Sequence, residues 1–228
     1  MTRWHTHSGA GDGETGAGST VVICDFDGTV AAADVQHVIF NHYAGDRWMP
    51  VNEAWRRGEV STEKRSRRQW EMVHASQQEI ADLVSPIPLD PGFAGFVAFC
   101  HQRSWPLHIA SDGFDFYINS MLSAHGLADL SVFANRMTWT NSHLAMTFAR
   151  PNPACCRLGN CKRLIVEEHR PAGGRVVFVG DGLSDACGAA AADLVFAKGL
   201  LARHCTENGI VYLPFADFTD VTAALQGL

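Results

Sequence analysis

The chain has 228 residues, a formal net charge of −6, 46% hydrophobic and 18% charged side chains. That composition supplies a sizeable core and argues against a disordered chain or a dedicated nucleic-acid binder. No apolar run reaches the ~18 residues of a membrane span, which excludes a helical transmembrane protein.

Met1 to Thr20 is rich in Gly and has no apolar stretch, so it reads as a flexible extension and not as a secretory signal. A metal or partner site built on its Trp4, His5 and His7 is disfavoured. Seven cysteines without a signal peptide suit a reduced, cytoplasmic protein. The only cysteine cluster, Cys155, Cys156 and Cys161, lacks a standard zinc spacing and reads as plain thiols.

Val21-Val22-Ile23-Cys24 is a buried strand by its β-branched run, and Cys24 points into the core. Asp25 and Asp27 follow at i and i+2, so their side chains leave the strand on one face at its carboxyl end. Ligands of open α/β sheets bind at that end. Two adjacent carboxylates repel, so a cation or a shared proton must offset them. Gly28 then turns the backbone. Alone, this stretch is equally a strand followed by an ordinary turn.

From Asp34 to Val84 the composition changes, with Trp48, Trp55 and Trp70 set among polar and basic residues. Asp34, Ser61 and Ser76 each open a helix, and Ser76 with Glu79 forms a capping-box pattern. No strand is evident, so 34–84 reads as a small helical domain inserted after the first strand. The crowd Arg56, Arg57, Lys64, Arg65, Arg67 and Arg68 is a solvated face by default, with one or two arginines available to an anionic substrate.

Asp90-Pro91 reads as a helix N-cap followed by Pro at the first helical position. Pro106 to Ser111 is a second strand, followed by a helix from about Phe114 to His125. Leu130 to Phe133 is a third short strand, and Trp139-Thr140 with His143 to Phe148 forms a hairpin. Asn160 caps a helix that begins at Cys161-Lys162. Arg175 to Gly180 is a fourth strand that runs into Asp181-Gly182-Leu183-Ser184-Asp185. Leu194 to Phe196 and Ile210 to Leu213 are later strands, with helices around Ala186, Ala202 and Phe218. Alternation of this kind implies an α/β fold, a Rossmann-like three-layer arrangement on a mainly parallel sheet.

Three strand ends thus present Asp25 with Asp27, Ser111, and Asp181 with Asp185, while Lys162 starts a helix between the last two. Clustered Asp, a hydroxyl and a Lys suit phosphoryl transfer. Hard carboxylate oxygens bind Mg²⁺, and Ser111 with the N–H groups of Asp112 and Gly113 at a helix start would hold phosphate oxygens. Each residue also has a plainer role: helix cap for Ser111, surface lysine for Lys162, loop residues for Asp181 and Asp185.

The order of these segments resembles the haloacid dehalogenase superfamily of phosphohydrolases. Asp25-Phe26-Asp27-Gly28-Thr29 is similar to its first motif, Ser111 to its second, Lys162 to its third, and Gly180 to Asp185 to its fourth. The resemblance implies Asp25 as nucleophile and Asp27 as acid/base, through an aspartyl-phosphate intermediate. It implies Mg²⁺ held by Asp25, the Asp27 carbonyl and Asp181, with Asp185 behind them. It also implies an HAD-like core, 21–33 and 85–228, with 34–84 as a cap like that of the phosphoserine-phosphatase-like branch.

Gly159 to Lys162, Asp193 to Lys198 and Tyr212 to Phe218 further resemble methionine-salvage phosphatases acting on 2-hydroxy-3-keto-5-methylthiopentenyl-1-phosphate. The segment Met137 to Cys156 departs from that group. Candidate cap contacts are Trp48, Trp55, Arg56 and Arg57. The expected partner is a small-molecule phosphate ester, with neither membrane nor nucleic acid. The rival readings are a phosphotransferase or phosphomutase on the same site, and a non-catalytic phosphate-binding protein.

Overall fold

The computed structural model describes residues 19–140, 143–152 and 159–227. The Trp4, His5 and His7 group, Cys155 and Cys156 lie outside the described residues.

The chain begins with β1 (Thr20–Cys24), all five residues buried. The inserted segment follows as α1 (Val35–Ala44), α2 (Met49–Arg56), α3 (Thr62–Trp70) and α4 (Gln77–Val84). Its entry and exit run side by side, with Ala31 bridged to Leu89 and the Ala32 N–H donated to the Pro88 carbonyl at 3.0 Å. Next come α5 (Phe93–Gln102), β2 (Leu107–Phe114), α6 (Asp115–Ala124), β3 (Ser131–Thr140) and β4 (His143–Thr147). The chain closes with α7 (Lys162–His169), β5 (Arg175–Gly180), α8 (Ala186–Ala189), β6 (Leu194–Ala197), α9 (Gly199–Glu207), β7 (Leu213–Pro214) and α10 (Phe218–Gln226).

The seven strands form one sheet in the order β4-β3-β2-β1-β5-β6-β7. All neighbouring pairs are parallel except β3 with β4. Alternation along β1 sends Val22 and Cys24 to one face and Val21 and Ile23 to the other, and each pair joins a separate apolar cluster. The first cluster takes in α5, α6, α10 and the inserted helices α1, α3 and α4; the second takes in α7, α8 and α9. This is the α/β architecture that the alternation of elements implied. β1 is central, and the sheet grows outward from it in both directions, so its carboxyl end is the topological switch point where such sheets bind ligands.

Asp34, Ser61 and Ser76 cap α1, α3 and α4 through their side chains, the last as a full capping box. Helix α2 was missed: its N-cap, Trp48, makes no side-chain cap bond, and the one start signal is Pro50 in its first turn. Three sequence expectations are corrected. Asp90 is not the N-cap of α5, which is Gly92; its carboxylate accepts the N–H groups of Gly92 and Phe218 and so ties α5 to α10. The third strand is longer than 130–133, because the far half of β3 leaves β2 and pairs antiparallel with β4, where no continuous apolar run is needed. The last strand is Leu213–Pro214, later than 210–213.

Candidate active site

At the end of β1 the Asp25 N–H still donates to the Val179 carbonyl of β5 at 2.9 Å, so the strand ladder itself fixes this residue. The chain then turns sharply through Phe26–Val30, with non-helical backbone at Asp27 and Gly28, and the Phe26 N–H donates to Asp25 Oδ1 at 2.7 Å. Gly28 has φ +80°, and a Cβ there would lie 2.8 Å from Asp181 Oδ2. Only glycine allows both that backbone and that approach.

Lys162 connects the strand ends. It is fully buried at the first turn of α7, with Nζ 2.6 Å from Asp25 Oδ1 and 2.5 Å from Asp185 Oδ1. Asp185, also fully buried, accepts the Asp181 and Gly182 N–H groups on its other oxygen, at 3.0 and 2.9 Å. Asp181 accepts the Thr29 hydroxyl at 2.8 Å. One carboxylate oxygen each of Asp25, Asp181 and Asp185 lies within 4.8 Å of the others. This is a compact set of hard oxygen donors, which fits a small divalent cation such as Mg²⁺.

Burial, then the charge of Asp185, pushes the Asp25 carboxyl well above the usual carboxylate range, against the pull of Lys162. Asp181 is pushed up to about 6 by burial and by Asp185, opposed by the Thr29 hydroxyl. Burial works against the Lys162 ammonium, but Asp185, Asp25 and Asp112 outweigh it and hold the proton on. A cation among these carboxylates would favour their ionised forms.

Asp27 belongs to a second group. Its Oδ1 accepts the Val35 N–H at 3.1 Å, and its Oδ2 accepts the hydroxyls of Tyr117 at 2.9 Å and Ser111 at 3.3 Å. Burial and the charge of Asp34 raise its pKa to about 7, opposed by the Tyr117 and Val35 donors. Two carboxyls two residues apart thus meet different surroundings. Asp25 sits against an ammonium, and Asp27 sits among neutral donors with a proton affinity near neutrality.

The expected phosphate cradle is rearranged. Strand β2 runs through Ser111, Asp112 and Gly113 to Phe114, with a register shift against β3, and α6 starts only at Asp115. The Gly113 N–H is committed to Ser111 Oγ at 2.9 Å. Asp112 serves structure through its carboxylate, which accepts the Asn160 N–H at 2.8 Å. Asn160 does not cap α7, whose N-cap is Cys161; its side chain bridges the carbonyls of Ser111 and Phe133. It therefore fixes the approach to Lys162. Ser111 itself is fully buried and lines the cavity.

That cavity holds about 220 Å³, lined by Asp25, Asp27 and Asp181 and, from the helices between β1 and α5, by Asn52, Trp55 and Arg65. Of the four candidate contacts, Trp55 and Arg56 line it. Trp48 does not: it is buried against His37 and Phe40, and its Nε1–H donates to Asn41. It belongs to the large apolar cluster beneath the sheet face. Arg57 does not either; it lies outward at the end of α2 and pairs with Glu59 at 2.6 Å.

Arg65 was not singled out by sequence. It is 8% exposed, lines the cavity and stacks on the Trp55 ring at 4.1 Å. The signal was available, because Thr62, Arg65, Ser66, Gln69 and Trp70 recur at helical spacing and form the buried face of α3. Tyr117 and Thr29 were missed as well; Thr29 lies inside the Asp25–Thr29 motif.

The family model described as Putative Phosphatase matches residues 20–199. This chain belongs to that phosphatase family. A 2-hydroxy-3-keto-5-methylthiopentenyl-1-phosphate phosphatase from Brevibacillus brevis is 30% identical to this phosphatase over 210 residues, covering 90% of this chain and 95% of the relative. One of the same name from Geobacillus thermodenitrificans is 30% identical over 213 residues, covering 91% and 96%. Among solved structures, a phospho-aspartyl intermediate analogue of phosphoserine phosphatase superposes with a TM-score of 0.72 at 19% identity, covering 91% of this chain and 99% of that one. An HAD family hydrolase from Salmonella enterica shares the fold as well, with a TM-score of 0.72 at 17% identity, covering 89% of this chain and 69% of that one. No helix among the described residues is long and apolar enough to cross a membrane.

Proposed function

We propose that this phosphatase hydrolyses a small phosphate monoester in two steps, with Asp25 as nucleophile, Asp27 as acid/base and Mg²⁺ as cofactor. The observation that carries the reading is Lys162, buried and bonded at once to Asp25 and Asp185 at the switch point of the sheet. An ammonium costs free energy to bury, and here it offsets charge where a carboxylate would meet a phosphate.

Asp25, Asp181 and the backbone carbonyl of Asp27 would hold Mg²⁺. Bound there, the ion would screen the phosphate dianion from the attacking carboxylate. Asp25 attacks phosphorus, and the bond from phosphorus to the leaving oxygen breaks as Asp27 gives that oxygen its proton. Asp27 then takes a proton from water as the water oxygen bonds phosphorus, and the Asp25 carboxylate is released. A pKa near 7 suits a group that must both give and accept a proton around neutrality. Ser111 offers its hydroxyl to a phosphate oxygen, and Asp185 fixes Lys162.

We take 34–84 as a cap over a core made of 21–33 and 85–228, preceded by an extension at 1–20. Its entry and exit, held side by side by the Ala31–Leu89 bridge, support that division. A cavity of about 220 Å³ suits a small ester. Within the basic run, Arg56, Arg57 and Arg67 pair with Glu53, Glu59 and Glu63, which lowers the charge this face presents to a nucleic acid. Cys24, Cys100 and Cys205 carry no disulfide, which supports a cytoplasmic setting.

The first ester to assay is 2-hydroxy-3-keto-5-methylthiopentenyl-1-phosphate, the name carried by relatives that match nearly the whole chain. The test is phosphate release from a panel of small esters, with Mg²⁺ and with excess chelator. Release that depends on Mg²⁺ supports the reading; full turnover in chelator, or transfer of phosphate to a second organic acceptor in preference to water, overturns it.

A further inference from the structure

Both oxygens of Asp27 are held, but by donors of unequal reach. Oδ1 takes the fixed Val35 N–H, while Oδ2 faces two hydroxyls, those of Ser111 and Tyr117. The Ser111 bond is the longer, at 3.3 Å against 2.9 Å. A substrate phosphate would draw the Ser111 hydroxyl away, which leaves Tyr117 as the hydroxyl on Oδ2.

Tyr117 is built into this position. It lies fully buried on α6, one turn after β2 ends, with its ring against Phe116 at 5.3 Å and Phe26 at 6.3 Å. Its hydroxyl reaches Asp27 over the backbone of Gly113. A Cβ on Gly113 would sit 1.9 Å from the Tyr117 oxygen and 2.8 Å from Asp27 Oδ2, so the bare glycine makes the passage. The phenol is pushed well above its usual pKa by burial and by the Asp27 charge, and so keeps its proton.

We propose that Tyr117 is a positioning residue for the hydrolysis of the aspartyl-phosphate: its hydroxyl pins the carboxyl plane of Asp27 so that Oδ2 faces the leaving oxygen in the first step and the attacking water in the second. The torsion that turns a carboxyl plane is broad and soft, so one N–H on Oδ1 does not fix it. Oδ2 has two lone-pair directions. One accepts the Tyr117 O–H throughout; the other carries the proton that goes to the leaving oxygen and later returns from water. Tyr117 itself neither gains nor loses a proton.

The inference rests on Asp27 as acid/base, and the experiment separates the two claims. Tyr117→Phe, Asp27→Asn and the double variant are followed by rapid mixing with p-nitrophenyl phosphate and Mg²⁺. Nitrophenolate leaves readily without a proton, so Tyr117→Phe should give a burst of full amplitude and then a steady rate about tenfold below wild type, as expected for a lost hydrogen bond to a charged group. In the Asp27→Asn background the same change should cost less than about twofold, because residues that act as a unit are not additive. An undiminished steady rate in Tyr117→Phe overturns the inference. So does a reduced burst amplitude with unchanged rates per active site, which would mark a folding role, or an equal loss in both backgrounds. Full activity in Asp27→Asn alone would instead remove the acid/base reading beneath it.

Discussion

The strand ends and the inserted helices both face the cavity, but they acquire their roles in different ways. Asp25 and Asp181 follow directly on paired central strands, and Ser111 lies in the neighbouring strand where its register shifts, so strand order brings the three to one end of the sheet. Trp48, Trp55, Arg56, Arg57 and Arg65 are placed by how short helices pack on one another. There, neighbours in sequence diverge: Trp55 and Arg56 meet the cavity, and Arg57 meets Glu59 and solvent. The proposed reacting groups therefore sit at the ends of sheet strands, and the groups that would choose the substrate sit on an insert whose helices also pack on the core, Trp70 against Phe114 and Phe116. If that division holds, changes at strand ends should abolish chemistry, and changes in the insert should redistribute specificity.

The sharpest break comes from Asp25→Asn. It removes the proposed nucleophile while keeping the shape, so steady-state turnover of every ester should fall by about 10⁴-fold or more. A loss confined to one ester would move Asp25 from chemistry to specificity. Next is Asp27→Asn, expected to cost about 10²–10⁴-fold in steady-state rate while a nitrophenolate burst near one equivalent per site survives. Absence of that burst, with folded protein, would mean that both aspartates serve the first step.

How these two residues were legible follows from their setting. A buried strand with carboxylates at i and i+2 can be read directly, and so can Ser61 and Ser76, whose caps are local. The behaviour of Ser111 to Phe114 could not be, because Asp112 and Gly113 read as a helix start but lie in a strand whose register shifts beside Asn160. Asn160 looks like a cap, yet a buried Asn with two carbonyls in reach satisfies them first. Tyr117 reads as one more apolar position of α6 beside Ile118 and Met121; only the tertiary fold brings its hydroxyl to Asp27.

The insert supplies the third test. Arg65→Met should lower kcat/KM for the preferred ester by about 10–100-fold, mostly through KM, since a buried cation in the wall contacts substrate in ground and transition states alike. Arg57→Ala should stay within about twofold. Equal losses in both would mean that the basic run acts as a general field and not through the residue that faces the cavity.

The smallest effect is on stability. The Asp27 value near 7 lies above the roughly 4 of an unfolded carboxyl, so the native state holds a proton that the unfolded chain releases. That stabilisation is complete at low pH and is lost as pH rises from about 4 to about 7. Metal-free Asp27→Asn should therefore melt a few degrees above metal-free wild type at pH 7.5, and the gap should narrow at pH 5. A gap that widens on acidification would contradict the raised value.

The central claim is that phosphate passes through the Asp25 carboxylate. Asp27→Asn mixed with a small ester and Mg²⁺, quenched in acid within the burst and reduced with borohydride, converts a phosphorylated aspartate into homoserine at its own position. Peptide mass spectrometry should find that change at Asp25 and at no other carboxylate. A quenched enzyme with no modified Asp25 during a full nitrophenolate burst, or one modified at Asp181 or Asp185, would contradict it.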